Sequence, residues 1–258
     1  MSKASAQQSK SRFGCWSAAL LCLVVIVLLG TFLWHGIRGA REAGRWAWCN
    51  NYFKQLGLAM HNYHDQYGSF PPAYFADRQG RPTHSWRVLL LPFMAQEERY
   101  GHYRFDEPWN SPQNLALADR QPIDESGDKM YLCPSDWDAG KDDTSQVLFV
   151  GPGTAFDGPR TTRIQDITDG SSHTAIGGEV SESGIHWMEP RDLNVEEMSF
   201  KINDKNRIGL RSNHPHCVNV PFADGSVRTI RDDIDPKLLK SLITINGKED
   251  VSEFFRNQ

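Results

Sequence analysis

Four groups of side chains in this 258-residue chain are chemically capable by type and spacing. His61-Asn62-Tyr63-His64-Asp65 sets two histidines three residues apart, on one side of a helix, where two imidazoles can share a metal ion. That site would need a third ligand, such as His214 or Asp224, and it lacks the general-base glutamate of HEXXH. The plainer reading has these side chains hydrogen-bonding loop backbone where the helix docks. Asp136, Asp138, Asp142 and Asp143 surround Gly140, and carboxylates at such spacing suit Ca²⁺. The full EF-hand pattern is missing, so a solvated acidic loop competes with a calcium loop. His214, Asp224 and Ser226 offer the parts of a nucleophilic dyad, but no G-x-S-x-G elbow accompanies them. Asp224-Gly225 is better explained as a turn that His214 braces. Cys49 and Cys133 complete the set, as a disulfide if the domain is exported or as small buried hydrophobes. No catalytic residue and no cofactor is expected, calcium excepted; the alternatives are an extracytoplasmic module whose long loops hold calcium or a glycan and, behind it, a metal-dependent hydrolase using His61, His64 and His214.

The elements that must position these residues follow from periodicity. Trp46, Cys49, Phe53, Leu56, Met60, Tyr63 and Tyr67 recur at alternating spacings of three and four, an apolar stripe on one helical face. Gly68 and then Pro71-Pro72 stop that helix. Val218–Ala223 and Ser226–Ile230 alternate apolar and polar residues about Asp224-Gly225, which predicts a type I′ hairpin. Pro221 places its strand at an edge or a bulge. Asp169-Gly170 leading into Thr174-Ala175-Ile176 predicts a turn and then a strand. Residues 85–91 fit a short helix or a buried strand equally, and a last helix is predicted from Pro236 to Ile243. The expected fold class is α+β, with one long N-terminal helix packed on an antiparallel sheet with long loops.

The helix begins much earlier. Residues 16–34 (WSAALLCLVVIVLLGTFLW) are uncharged, and as a helix they span about 28 Å, close to the ~30 Å hydrocarbon core of a bilayer. A tryptophan at each end suits the headgroup level. The stretch is longer than the apolar region of a cleaved signal, and no convincing cleavage site follows. The implied organisation is a basic cytoplasmic tail (1–15), a transmembrane helix (16–37) and an exported domain (38–258), itself a helical stalk (38–67) and a β-rich head (68–258). The rod from Trp16 to Tyr67 would be on the order of 75 Å long. Lys3, Lys10 and Arg12 before the span nearly balance Arg38, Arg41 and Arg45 after it, so charge alone does not orient it. A short tail inside and a large domain outside is the economical topology. The formal net charge of −4 gives no electrostatic case for nucleic acid. Expected partners are membrane lipid and, through Ala40, Ala43, Gly44 and Ala47 of the helix, a homo- or hetero-oligomer.

Several blocks resemble a known family: AREAGRWAWCNNYFKQLGLAMHNYHDQYGSFPP (40–72), SWRVLLLPFMAQEERY (85–100), FDEPWNSPQN (105–114), YLCPSD (131–136), GPGTAF (151–156), DITDGSSHT (166–174), HWMEPRDL (186–193) and HPHCVNVPFADGSV, in which His214 stands before nine residues and Asp224-Gly225. The chain resembles the prepilin-like family called domain of unknown function 1559, whose members carry an H-X9-DG processing-associated motif. The resemblance implies a pseudopilin-like fold and fixes no biochemical role. Prepilins continue from the cleavage glycine into Phe and a glutamate that neutralises a neighbour's new amine. Here Gly14 is followed by Cys15-Trp16-Ser17-Ala18-Ala19, with Ala19 where that glutamate would fall. The departure implies an uncut membrane protein, or a tip-type minor pseudopilin.

Overall fold

Helix α1 (Lys3–Tyr67) is the longest element of the structure, a computed structural model that describes residues 3–117, 121–124, 127 and 129–256, with side chains from residue 20 onward. It starts well before Trp16. The side chains around the expected cleavage position, Gly14 to Ala19, lie outside the described residues. At its other end Gly68 adopts φ +79° and its amide reaches His64 O at 2.7 Å, the left-handed stop that the glycine and the two prolines predict. Contacts divide the chain into two units, Met1–Gly44 and Arg45–Gln258. In the first, every large apolar side chain described between Leu20 and Ile37 is exposed.

The second unit has its own core. Its share of α1 buries Cys49, Tyr52, Phe53, Leu56, Ala59 and Met60, while Trp46 and Tyr67 at the ends of the stripe stay exposed. The buried face is therefore shorter and wider than the stripe alone predicts, since Tyr52 and Ala59 flank it. All of these buried residues but Tyr52 pack with Phe70, Trp86, Leu90, Leu91, Tyr131 and Trp187. A second cluster gathers Val147, Phe149, Val218, Val220, Phe222, Leu239 and Phe254.

Among the described residues the strands are short and form three small sheets rather than one. β1 (Tyr74–Ala76) pairs antiparallel with β2 (Pro82–Ser85). β3 (Gln146–Val150) lies between antiparallel β4 (Gly177–Glu179) and parallel β5 (Leu193–Asn194). β6 (Cys217–Pro221) pairs antiparallel with β7 (Val227–Arg231). The fold is α+β, with a mixed central sheet. The chain between Asp169-Gly170 and β4 runs alongside the β6–β7 hairpin: Ile176 N donates to Pro221 O at 2.9 Å, and Ala175 bridges Phe222. The strand itself starts at Gly177, just past the expected Thr174-Ala175-Ile176, because the amides of Ala175 and Ile176 bond Leu242 O and Pro221 O and not the carbonyls of β3.

Residues 86–89 settle as a one-turn helix, α2 (Trp86–Leu89), with Ser85 Oγ capping Arg87 N at 3.2 Å, followed by a 3₁₀ turn at Leu91–Met94. Two further short helices follow, α3 (Glu97–His102) and α4 (Pro112–Leu117). Near the C terminus α5 (Pro236–Ser241) starts where predicted, with Asp235 accepting from Lys237 N at 2.8 Å, and stops two residues before Ile243. α6 (Ser252–Arg256) ends the described chain.

One turn differs from its prediction. Phe222 N donates to Ser226 O at 2.8 Å and Gly225 N donates to Phe222 O at 2.9 Å, so the loop contains Ala223, Asp224 and Gly225. Only Gly225 has positive φ, +82°. The hairpin is thus a type I turn closed by a left-handed glycine, not the two-residue type I′ turn. Asp224 Oδ1 accepts from Ser226 N and Oγ, at 2.9 and 2.6 Å, and holds the turn's C-terminal side.

Candidate functional site

Four segments distant in sequence meet at one buried point. Cys49 comes from the buried face of α1, Cys133 from the loop between α4 and β3, Glu179 from the last position of β4, and His214 from the loop before β6. Their ligating atoms all lie within 4.8 Å of one another, and all four residues are buried. His214 Nε2 is 3.2 Å from Cys133 Sγ and 4.0 Å from Glu179 Oε1.

Local structure explains each placement. Cys49 sits on the apolar stripe of α1 and is buried there. Glu179 is held by β3 pairing opposite Gln146. Gly178 next to it faces Leu210, whose Cδ2 would lie 2.5 Å from an added Cβ, so that glycine lets the 210–214 segment approach. Ser212 Oγ then donates to Glu179 Oε2 and accepts from His214 N, each at 3.0 Å, so one hydroxyl positions two members of the cluster. Cys133 N donates to Ser145 Oγ. Asn213 Nδ2 donates to Ser135 O at 2.9 Å, and Arg45 Nε donates to Ser135 Oγ at 3.1 Å, which ties the Cys133 loop to its neighbours on both sides.

The electrostatics are those of groups crowded out of water. Burial, aided by the neighbouring Cys133 sulfur, pushes the Glu179 carboxyl well above the usual carboxylate range. Its Oε1 has no hydrogen-bond partner. The hydrogen bond from Cys49 holds the Cys133 thiol below its ordinary value, against burial and with help from His214. The same bond, together with burial, raises Cys49.

A nucleophilic triad needs its acid on the far imidazole nitrogen, to orient the base. Here Glu179 Oε1 and Cys133 Sγ face the same atom, His214 Nε2. The side chains of His214 and Glu179 are each 1% exposed, which leaves a substrate no surface from which to reach them. The broad cleft beside α1, lined by Trp48, Gln55, Leu58, Phe93 and Ile123, contains none of the four. The arrangement suits a small cation better than it suits attack on a substrate.

The structure brings Cys49 and Cys133 together as free thiols. His214 Nε2 faces Cys133 Sγ at 3.2 Å. The hairpin turn is seated on α1 by glycine. A Cβ on Gly57 would stand 3.0 Å from Gly225 Cα, and one on Gly225 would stand 3.3 Å from His61 Cδ2. His64 Nε2 accepts from Ile164 N at 3.4 Å, the loop-docking role anticipated for it. His61 and His64 join no cluster of three or more ligating side chains among the described residues.

The four aspartates have separate tasks. Asp136 is buried, accepts from Glu182 N at 3.1 Å, and is pushed up to about 6 by burial. Asp143 Oδ2 accepts from Gly140 N at 2.9 Å, Asp142 Oδ1 is buried without a partner, and Asp138 is exposed. Among the described residues they do not gather within reach of one ion. Glu179 escaped the sequence reading because no motif surrounds it. Its signal was a lone carboxylate in the otherwise uncharged run Thr174–Val180.

Residues 38–158 and 183–237 match a family model described as protein of unknown function (DUF1559). The two stretches together cover more than half of the chain and include Cys49, Cys133, His214 and Asp224-Gly225; Glu179 falls between them. No curated protein and no solved structure matches.

Proposed function

We propose, from the premise that this chain belongs to the family of proteins of unknown function described as DUF1559, that it is a single-pass membrane protein with a pseudopilin-like head outside the cytoplasm, acting by assembly in the cell envelope or a secretion-related complex and not by catalysis. One observation carries this reading. α1 is long and apolar enough to cross a membrane, and its large apolar side chains from Leu20 to Ile37 are all exposed. An apolar surface of that extent calls for lipid or a partner. Farther along, Ala40, Ala43, Gly44 and Ala47 are exposed, and small residues let helices approach closely. That favours lateral assembly through α1. The burial of the Cys49 cluster supports a role without turnover.

Fractionation tests the anchor. The full chain is expected in the membrane pellet after salt and alkaline carbonate washes, and deletion of residues 16–34 is expected to release the head. Extraction of the intact chain by carbonate would overturn the anchor. External protease should digest the head in intact cells; full protection would reverse the topology. Chemical crosslinking in membranes should give oligomers that Gly44→Leu diminishes, and a purely monomeric band would remove the assembly role.

A further inference from the structure

We propose that Cys49 Sγ, Cys133 Sγ, Glu179 Oε1 and His214 Nε2 form a structural Zn²⁺ site that locks α1 to the head. This stands independently of the membrane role. Bond lengths of about 2.0–2.3 Å place the ligand atoms of tetrahedral zinc about 3.3–3.8 Å apart. The Sγ–Nε2 separation of 3.2 Å and the Nε2–Oε1 separation of 4.0 Å bracket that range, and no pair of ligand atoms exceeds 4.8 Å. Small side-chain shifts bring all four onto one ion.

The donor set selects the metal. Two sulfurs, an imidazole and one carboxylate suit zinc, whereas Ca²⁺ and Mg²⁺ take oxygens. Four protein ligands in a sealed pocket leave no open position for water or substrate, the mark of a structural centre. Glu179 Oε1, buried without a hydrogen-bond partner, is the independent sign that something is to be bound. A Cys49–Cys133 disulfide would consume both sulfurs and leave that oxygen unsatisfied. Metal binding satisfies it and displaces the thiol and carboxyl protons to solvent. The outer contacts are already in place: Ser212 Oγ holds Glu179 Oε2 and His214 N, and Ser145 Oγ holds Cys133 N.

The test uses the full chain in detergent, purified with reductant and without chelating resin, exposed to Zn²⁺ and then dialysed into metal-free buffer. Elemental analysis should find about one zinc per chain. Replacement by Co²⁺ should give the intense visible bands of a tetrahedral ion and a thiolate-to-cobalt charge-transfer band. Cys133→Ser with His214→Ala should lose the metal. Because that double variant can fail to fold, Glu179→Gln is measured beside it. It keeps the side-chain volume and should retain native circular dichroism while holding zinc about tenfold more weakly or worse. Metal-free wild-type protein after zinc exposure would overturn the proposal. So would zinc held equally well by Glu179→Gln and the double variant, or a Cys49–Cys133 linked peptide in protein taken unreduced from its native membrane.

Discussion

Gly57 and Gly225 show how much of this molecule depends on single side chains that are absent. Their backbones touch where the hairpin turn meets α1, and a methyl on Gly57 would come within 3.0 Å of Gly225 Cα and 3.1 Å of its carbonyl oxygen. Backbone cannot step aside as a side chain can. Gly57→Ala is therefore expected to cost about 1–3 kcal/mol in a denaturant melt. Gly225→Ala adds a left-handed backbone penalty of about 1–2 kcal/mol to its contact with His61. A loss below 0.5 kcal/mol in both, on the order of an ordinary surface change, would show that the contact is loose. His84 gives a pH signature. Its Nε2–H donates to Phe105 O at 3.1 Å and its Nδ1 accepts from Tyr103 OH at 2.9 Å, so the neutral ring is fully bonded. Burial holds its pKa below the usual histidine value, the bond to Phe105 opposing in part. The unfolded chain then binds the proton first. Stability from His84 is complete above about pH 6.5 and declines as the pH falls below it. Melting temperatures between pH 7.5 and 5 should fall less steeply in His84→Gln, and an unchanged slope would dismiss this role.

Among the elements, α2 and the residue just before β5 are joined by an ion pair whose two ends also bond β3, a link that periodicity does not reveal. Arg87 Nη2 meets Asp192 Oδ1 at 2.7 Å with both side chains essentially sealed from water. Arg87 Nη2 also donates to Gln146 O at 2.7 Å, while Asp192 accepts from Trp86 Nε1 at 3.0 Å and from Leu148 N at 2.9 Å. Asp192→Ala strands a buried guanidinium and is expected to cost about 3–5 kcal/mol. Arg87→Met with Asp192→Leu should cost clearly less than the single change, because no charge is left unpaired; a double variant as unstable as the single one would contradict this. The elements were legible in proportion to their periodicity. The stripe from Cys49 to Met60 announced the buried face of α1, and Asp235-Pro236 announced the start of α5. The 85–91 run stayed ambiguous, because four to seven apolar residues fit either a buried helix turn or a buried strand. The hairpin was placed correctly but its turn was not: Asp-Gly supplies the same residues to a type I′ turn and to a type I turn with a left-handed glycine.

At the scale of the whole chain, composition and the apolar run predicted an α+β head beyond a long helix, and the structure has both. The cluster at Cys49 was only half legible. Two cysteines invited pairing, but Glu179 and His214 joined them through β3–β4 register and the Ser212 contacts, which are long-range facts without a local signature. That same long range sets the energetic consequence. Ligands at 49, 133, 179 and 214 would close three loops of many tens of residues, so an ion that binds only the folded head stabilises it by mass action. Free zinc at a hundredfold over its dissociation constant contributes about 2.7 kcal/mol. Chelator added to the zinc-loaded full chain should therefore lower the melting temperature by several degrees, and re-adding zinc should restore it. The shift should grow with zinc concentration in the wild type and vanish in Glu179→Gln with Cys133→Ser. A melting temperature indifferent to chelator and to zinc would mean that the four side chains hold the head together without an ion.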